Sequence, residues 1–205
     1  MRVNMPFPYL LLHPNIPKPL HGLAPRTILG AKWWNKTKAQ AKVKFDFHCW
    51  ACGVHQQEAK SKQWLESHEC YSINYNTGRS EYSGTVALCH FCHNFIHDGR
   101  LLILYQKNQI SEGYYLRILA HGNNILRNWL GKDTSIIKHP FEPNEPFCEH
   151  EDWHKVPQKF NNLTWVINPR LPLADWNDYH LILEGIRYER KHQTFQDWLN
   201  FYEQS

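Results

Sequence analysis

The sequence predicts a mixed α+β fold organised around a metal-binding segment at residues 46–99. Three observations lead to this prediction. The first is a set of four cysteines in two Cys-x-x-Cys pairs: Cys49 with Cys52, and Cys89 with Cys92. The second is a pair of alternating segments that flank a turn-like run, Asn76-Thr77-Gly78-Arg79. The third is the run CHNFIH at the second cysteine pair, which has helical spacing. The predicted order is therefore strand, turn, strand, helix.

The cysteine spacing favours a metal site over disulfides. Thiolates three residues apart can both reach one tetrahedral ion, and two such pairs supply the four sulfurs of a closed structural zinc site. Gly53 follows the first pair and permits the positive φ that a tight metal-binding turn needs. The alternative is four buried free thiols. Cys70, between the two pairs, is expected to be an ordinary packed thiol.

Length and charge limit the classes of function. A chain of 205 residues forms one or two domains and buries roughly 70% of its unfolded surface, so a core without disulfides is expected. The formal charge is +4 and the pI is about 8.7. This balance is compatible with a nucleic-acid partner but does not establish one.

Cysteine use and hydropathy predict a cytoplasmic protein. Four of the six cysteines have metal spacing, which fits a reducing compartment. The N-terminus has a short apolar run broken by Pro6 and Pro8, so it lacks the apolar core of a signal peptide. No segment approaches the roughly 20 apolar residues of a membrane span, and no membrane partner is expected.

The N-terminal region, residues 1–45, begins with a proline-rich arm. Six prolines in residues 1–25 remove backbone donors and favour extended backbone. The apolar residues of this arm either pack on the protein surface or leave it partly disordered.

A basic helix is predicted after the arm, from Ala31 to Lys42. Residues 26–44 hold six basic side chains and no acidic one. Trp33 and Trp34 lie among these charges. In one interpretation the tryptophans stack on bases while the lysines contact phosphates. In the other, the tryptophans pack beneath the zinc segment and the charges are solvated.

The core at residues 46–99 contains two predicted strands and a helix. The strands run from Trp64 to Tyr75 and from Ser80 to Leu88, and the helix runs from Cys89 to about Asp98. Gly99 stands where a helix end favours glycine.

A second set of chemically active residues lies inside this core. His68 and Glu69 are adjacent in the first predicted strand, and His93 and His97 are four residues apart, on one face of a helix. The alternative is that these side chains are ordinary surface or core residues in a histidine-rich chain. One zinc ion cannot engage all eight residues of the two sets.

These residues resemble the zinc-bearing branch of the HNH, or ββα-metal, endonucleases. The shared pattern is C-x2-C, a strand ending in a histidine-containing dyad, and LC-x2-CH-x3-H. It covers residues 46–99. The resemblance implies a ββα-metal core in which the structural zinc of Cys49, Cys52, Cys89 and Cys92 joins the hairpin to the helix.

The resemblance also implies roles for the second set. His68, His93 and His97 match the three metal ligands of the subgroup that uses three histidines, and Glu69 matches the general base. The family usually has a histidine at the base position. In the alternative assignment, His68 is the base and Ser67 takes the ligand position. The family's orienting asparagine is absent before Cys89, where Ser83, Gly84 and Thr85 stand instead.

An α+β accessory region is predicted for residues 100–205. Residues 101–109 are predicted to be a strand or buried extension, and a helix with Ser111 as N-cap follows to Leu130. Gly122 is expected to kink this helix. Its predicted apolar set comprises Leu116, Leu119, Leu126, Trp129 and Leu130.

The rest of the chain is predicted to be a loop, a hairpin and a helix. Residues 139–173 are predicted to be a loop, in which Cys148, His150 and His154 either bind a second metal or lie on the surface. A C-terminal hairpin turns at Glu184-Gly185, and a last helix starts at Thr194, with Phe195, Trp198, Leu199 and Tyr202 on one face. This region is expected to serve as scaffold, protein-partner surface or target selector.

Two functions from different classes fit these observations. The first is a metal-dependent HNH-type endonuclease that hydrolyses phosphodiester bonds, with DNA expected as substrate before RNA, in bacterial or phage defence, mobility or packaging. It needs a structural Zn2+ and a catalytic divalent ion, Mg2+, Mn2+, Ni2+ or Zn2+. The second is a zinc-stabilised HNH-like module that has lost catalysis and binds nucleic acid or protein.

Overall fold

The computed structural model describes residues 6–13, 16–130, 165–166 and 172–203. In these residues the α-helices are α1 (Pro25–Ile28), α2 (Gly30–Lys44), α3 (His90–Ile96), α4 (Asp98–Gln106), α5 (Glu112–Leu130) and α6 (Phe195–Glu203). The strands are β1 (Glu66–Asn74), β2 (Arg79–Leu88), β3 (Trp165–Val166), β4 (His180–Leu183) and β5 (Ile186–Glu189). The predicted mixed α+β class is confirmed.

The five strands of the described residues form one sheet in the order β3-β1-β2-β4-β5. β1 and β2 are neighbours joined by a short turn. β3 is parallel to β1, with Ile73 opposite Trp165. β4 is parallel to β2, with Ser80 opposite Leu181, and antiparallel to β5.

The described chain divides into two compact units. The first comprises residues 6–13, 40–68 and 86–130, and the second comprises residues 16–39, 69–85, 165–166 and 172–203. This division cuts across the three predicted sequence segments, because residues 69–85 of the predicted core belong to the second unit.

The first unit is built on the packing of α3 against α5 and against a 3-10 turn at Pro8–Leu12. Leu11, Phe95, Ile118 and Leu126 are completely buried in this unit. Burial of each such aliphatic or aromatic side chain stabilises the folded protein by about 1.5–3 kcal/mol. The described part of the N-terminal arm therefore packs, which was one of the two expectations for it.

The second unit has its core on one face of the sheet. Tyr71 and Ile73 of β1, and Tyr75 directly after it, pack with Leu181 of β4, and all four side chains are fully buried. The alternation of β1 directs these odd-numbered residues to the same face.

Several predicted elements are confirmed with small shifts at their ends. These are α2, β1, β2, the start of α3, and the C-terminal hairpin, whose turn residues Glu184 and Gly185 both have positive φ. The N-cap role of Ser111 is also confirmed, because its Oγ accepts a hydrogen bond from the backbone N–H of Tyr114 at 3.3 Å. Thr194 caps α6 in the same way, accepting from the N–H of Asp197 at 3.1 Å.

The prediction of a strand or extension at residues 101–109 is wrong. α4 covers most of that run, and Leu101 and Leu102 are buried on it. Gly99 consequently lies in the first turn of α4, not beyond the end of α3. The helical conformation is interrupted at His97, between α3 and α4, because its φ of −87° and ψ of 50° lie outside the helical region.

One expectation about α5 is wrong in part. α5 continues as one helix past Gly122, and the kink expected there stays a prediction. Leu116 and Trp129, predicted to be on the apolar face, are 39% and 43% exposed, whereas Leu119 and Leu126 are buried. The face that packs is formed by residues at 115, 118, 119, 122, 123 and 126.

Other sequence predictions fall outside the described residues or are modified by them. Cys148, His150 and His154 lie outside the described residues. The predicted loop at 139–173 contains a short strand, β3. Among the described helices, none has both the length and the apolar character needed to cross a membrane.

Candidate metal centres

The first cysteine pair lies in a tight turn after α2. The backbone N–H of Gly53 donates to the Cys49 carbonyl at 2.8 Å, and the N–H of Cys49 donates to the Val54 carbonyl at 2.8 Å. Gly53 has φ of +77°, the left-handed conformation that the sequence predicted for this glycine. The turn brings Cys49 and Cys52 to the same side of the chain.

The second cysteine pair stands at the start of α3. Cys89 immediately precedes the helix, and its carbonyl accepts the hydrogen bond from the N–H of His93 at 3.0 Å. Cys92 lies in the first turn and is completely buried.

The four predicted cysteines converge on one point. Their sulfurs all lie within 4.8 Å of one another, and the sulfurs of Cys52 and Cys89 are 3.8 Å apart. Two thiolates at 2.3 Å from a tetrahedral zinc ion are separated by about 3.8 Å. None of the described cysteines is in a disulfide. The four sulfurs could therefore hold one structural metal ion such as zinc.

The titration of these thiols also favours a cation. Hydrogen bonds from Cys49, Cys52 and Cys92 lower the pKa of the Cys89 thiol, while hydrogen bonds with Cys49 and Cys89 raise the pKa of Cys52. The lowered pKa favours the ionised form of Cys89, which is buried. A buried negative charge is costly unless a partner of opposite charge is present, and a divalent ion would provide it.

The three predicted histidine ligands also lie together. Nitrogens of His68, His93 and His97 are all within 4.8 Å of one another. Nδ1 of His68 is 3.2 Å from Nε2 of His97. Two imidazole nitrogens at 2.0–2.1 Å from one tetrahedral ion are separated by about 3.3–3.4 Å. The donor set therefore fits a divalent ion of the zinc type.

The protonation of His97 suits metal binding. Burial lowers the pKa of His97 to about 3, and the charges of His93, His13 and Arg100 add to this effect. The imidazole is therefore neutral at physiological pH, which is the form that binds metals.

Glu66, which the sequence analysis did not single out, contacts this cluster. Its Oε2 accepts a hydrogen bond from Nδ1 of His93 at 2.6 Å, and its Oε1 accepts one from Nδ1 of His90 at 2.6 Å. Burial raises the pKa of Glu66, but the hydrogen bonds from His90 and His93 outweigh it, so the net pKa is lowered. The carboxylate is ionised and fixes the Nδ1 proton of His93, which leaves Nε2 of His93 as its ligand atom.

The hydrogen-bond chain continues to α5. Tyr114 O–H donates to Nε2 of His90 at 2.6 Å, and Lys62 Nζ donates to Glu66 Oε1 at 3.2 Å. Lys62 thus supports the carboxylate directly, and Tyr114 supports it through His90.

His13, which directly follows the 3-10 turn of the N-terminal arm, is a further imidazole beside the cluster. Its ring lies 5.0 Å from that of His68 at an angle of 88°, and its Nδ1 is 3.5 Å from Nε2 of His68. This is the nitrogen of His68 that does not face His97. His13 is therefore placed to orient His68 rather than to replace it.

Glu69, the predicted base, has different neighbours. Its Oε2 accepts a hydrogen bond from Arg26 Nη1 at 3.0 Å and one from Tyr71 O–H at 3.4 Å, and its Oε1 accepts from the backbone N–H of Arg26 at 3.2 Å. Burial raises the pKa of Glu69, although the charge of Arg26 opposes this shift. Among the described residues, the groups that could hold a metal do not include Glu69.

The basic helix α2 presents exposed lysines and half-buried tryptophans. Lys32 and Lys36 are exposed, whereas Trp33 and Trp34 are stacked on each other at 6.3 Å between ring centroids. The edge of Tyr82 contacts Trp33. Trp33 thus packs on strand β2, Trp34 stacks on Trp33, and Lys32 and Lys36 remain available to solvent.

Sequence reasoning missed Glu66, His90, His13 and His121. Only Glu66 had a clear signal, because it lies two residues before His68 and therefore on the same face of β1. His121 lies on α5 with its Nε2 3.4 Å from the sulfur of Cys92. Nothing in the local sequence connects His121 or His13 with the cysteines and histidines of the core.

Comparison with known proteins adds no relative to these observations. A scan against protein-family models, a search of curated proteins and a search of solved structures each returned no match to this chain.

Proposed function

We propose that this protein is a metal-dependent phosphodiester hydrolase of the HNH type that acts on nucleic acid, with DNA as the preferred substrate. The observation that carries the proposal is the convergence of His68, His93 and His97, with Nδ1 of His68 3.2 Å from Nε2 of His97. Three imidazoles leave one position of a tetrahedral ion open, which is typical of catalytic sites, whereas four cysteines form a closed site.

The order of the elements supports the same proposal. β1, β2 and α3 follow one another as strand, strand and helix, with His68 on β1 and His93 on α3. The four cysteines, one pair before β1 and one pair at the start of α3, could hold a structural ion. This is the organisation that the resemblance to ββα-metal endonucleases implies.

In this proposal each residue has a distinct task. A divalent ion held by the three histidines would act as a Lewis acid toward the scissile phosphate and its leaving oxygen. Glu66 holds His93 in one tautomer, and His13 lies against the outer nitrogen of His68. Glu69 is the proposed general base, which accepts a proton from the attacking water, and its raised pKa favours this task.

Two observations favour the second candidate, a metal-stabilised binding module without catalysis. Both oxygens of Glu69 are engaged by Arg26, so this carboxylate has to exchange partners before it can take a proton from water. Successive side chains on a strand also point to opposite faces, which directs Glu69 away from the face of His68. The exposed lysines of α2 would serve such a module as well as a nuclease.

The deciding experiment is incubation of the purified protein with plasmid DNA and with RNA, each with Mg2+, Mn2+, Ni2+ or Zn2+. We expect cleavage with at least one ion. His97→Ala should abolish both cleavage and binding of the second metal, while the metal of the cysteines stays bound. Glu69→Gln should keep the second metal and lower the rate, by about 10²–10⁴ if Glu69 is the base.

A matched control is His48→Ala, because His48 lies outside the described groups that could hold a metal. This variant should behave like the unmodified protein. A folded protein that binds metal at the histidines but cleaves neither nucleic acid with any of the four ions would contradict the nuclease proposal and favour the binding module.

A further inference from the structure

His121 stands next to the four-cysteine centre although it belongs to no cysteine or histidine motif. Its Nε2 is 3.4 Å from the sulfur of Cys92 and 4.0 Å from the sulfur of Cys89. The shorter distance is within the range of an N–H to sulfur hydrogen bond. His121 is thus a polar side chain from a distant part of the chain that is directed at the sulfurs.

The position of His121 depends on close packing of α5 against α3. The next residue, Gly122, has no side chain, and a Cβ built there would lie 2.2 Å from Cδ2 of Phe95. Phe95 belongs to α3, the helix that carries Cys92. The absence of a side chain at Gly122 therefore lets α5 come near enough for His121 to reach the sulfur.

The ring of His121 is also held from the side. The ring of Phe91 lies 5.5 Å away at an angle of 85°, so the edge of one ring meets the face of the other. Phe91 lies directly before Cys92. The contact of Phe91 with His121 and the close approach of Phe95 to Gly122 thus define where Nε2 of His121 points.

The charge of the four-cysteine centre explains what a hydrogen-bond donor at His121 would do. Four thiolates around one divalent ion carry a net charge of −2, and Cys92 is completely buried. Water cannot reach its sulfur to stabilise that charge. A hydrogen bond from an N–H group to a charged acceptor is roughly twice as strong as one between neutral groups. Partners of this kind commonly change metal affinity by about 10–100-fold.

We propose that His121 is a positioning residue of the four-cysteine centre, in which Nε2–H donates a hydrogen bond to the Cys92 thiolate. The hydrogen bond withdraws electron density from this sulfur, which makes the metal-bound thiolate a weaker nucleophile toward other reagents. His121 thereby keeps the centre in a structural, unreactive state. This role is independent of the proposed nuclease activity, because it concerns the other centre.

The first test compares His121→Gln, which retains an N–H donor, with His121→Leu, which does not. Zinc release during alkylation with iodoacetamide measures the reactivity of the sulfur, because each thiolate that displaces iodide becomes a thioether and no longer binds zinc. We expect His121→Leu to release zinc about 10-fold faster than the unmodified protein. His121→Gln should stay close to the unmodified protein. Equal release rates in both variants, with unchanged circular dichroism, would overturn the proposal.

A second measurement does not depend on the folding of any variant. In the unmodified protein loaded with 113Cd2+, nitrogen NMR identifies which ring nitrogen of His121 carries the proton. We expect the proton on Nε2, with scalar coupling from this N–H group to the cadmium through the Cys92 sulfur. A proton on Nδ1 alone would contradict the proposed hydrogen bond.

Cobalt substitution gives a further signature that mere packing would not change. Loss of the hydrogen bond makes the sulfur richer in electrons, so the sulfur-to-cobalt charge-transfer band of His121→Leu should move to lower energy. The band of His121→Gln should move less. An identical band in His121→Leu and in the unmodified protein would show that the histidine does not act on the sulfur.

Discussion

The Glu66 carboxylate lies 2.6 Å from Nδ1 of His93. This contact connects a strand residue with a candidate metal ligand on α3, and it explains why His93 can offer only Nε2 to an ion. The same carboxylate accepts from His90. A single charged group thus supports two histidines of one short helix.

The first prediction concerns this support. Glu66→Gln removes the charge and leaves only one good acceptor for two imidazole N–H groups. Affinity for a divalent ion at the histidines should fall by about 10–100-fold, whereas the metal at the cysteines should stay bound. Calorimetric titration with Ni2+ measures this affinity. The control is Glu81→Gln, whose carboxylate is exposed and pairs with Arg79. Unchanged affinity in Glu66→Gln would rule out the supporting role.

The second prediction concerns the four cysteines. Structural zinc sites have apparent binding energies of about 10–16 kcal/mol in small peptides, so metal loss should unfold the first unit. Cys92→Ser should lower the metal content by about one ion per chain and reduce the helical circular dichroism signal. The control is His48→Ala, since His48 belongs to none of the described groups that could hold a metal. A metal-free preparation with the full helical signal would refute the structural role of the cluster.

The strands and cysteines were the part of the structure that sequence predicted best, and the reason is local. Cys49 and Cys52, like Cys89 and Cys92, are near one another in sequence, and the alternation of β1 and β2 has a period of two. The same rule could have identified Glu66. It places Glu66, but not Glu69, on the same face of β1 as His68.

The errors have physical causes. A short apolar run such as residues 101–104 fits a strand and a buried helix equally well by periodicity, and tertiary packing selected the helix α4. His121 and Cys92 are 29 residues apart, and His13 and His68 are 55 residues apart. Contacts at such separations depend on the packing of whole elements, so no local pattern indicates them.

The third prediction follows from the contact between Gly122 and Phe95. Gly122→Ala would place a Cβ 2.2–2.5 Å from the ring atoms of a completely buried phenylalanine. Such overpacking should lower the free energy of unfolding by about 1–3 kcal/mol. Urea denaturation measures the change. Gly113→Ala on the same helix is the matched control, because no atom lies within 4 Å of its Cβ position, and it should not destabilise the protein.

The combined variant Gly122→Ala with Phe95→Leu provides a further check. If the steric contact causes the loss, the combined change should cost less than the sum of the two single changes. Strict additivity would mean that Gly122 acts through backbone conformation alone.

The fourth prediction concerns the exposed lysines of α2. Replacing Lys32 and Lys36 with Gln should weaken binding to duplex DNA. It should also lower the salt dependence, by up to about 0.9 log units for each lost phosphate contact. Binding titrations at several salt concentrations measure the slope. The control replaces Lys60 and Lys107, which are also exposed but lie outside α2. An unchanged slope would leave α2 a packing element with a solvated face.

The fifth prediction concerns His21 in the second unit, which joins the arm to α6. Its Nε2–H donates to the carbonyl of Ile16 at 2.9 Å, and its Nδ1 accepts the indole N–H of Trp198 at 2.9 Å. This pattern requires the neutral ring. Burial lowers the pKa of His21 to about 4, the hydrogen bond to Ile16 opposes this shift, and the charges of His192 and Lys18 lower the pKa further.

The direction of the pH effect follows from these values. Between pH 4 and pH 6.5 the unfolded chain binds a proton at His21 that the folded chain does not bind, so stability rises with pH in this window. The contribution is fully present above about pH 6.5, and acidification to pH 4 removes up to about 3 kcal/mol. His21→Asn keeps an acceptor near Trp198 but cannot titrate, so its free energy of unfolding should vary less over this window. Parallel slopes for His21→Asn and the unmodified protein, measured by urea denaturation with tryptophan fluorescence, would mean that His21 does not control the acid sensitivity of this unit.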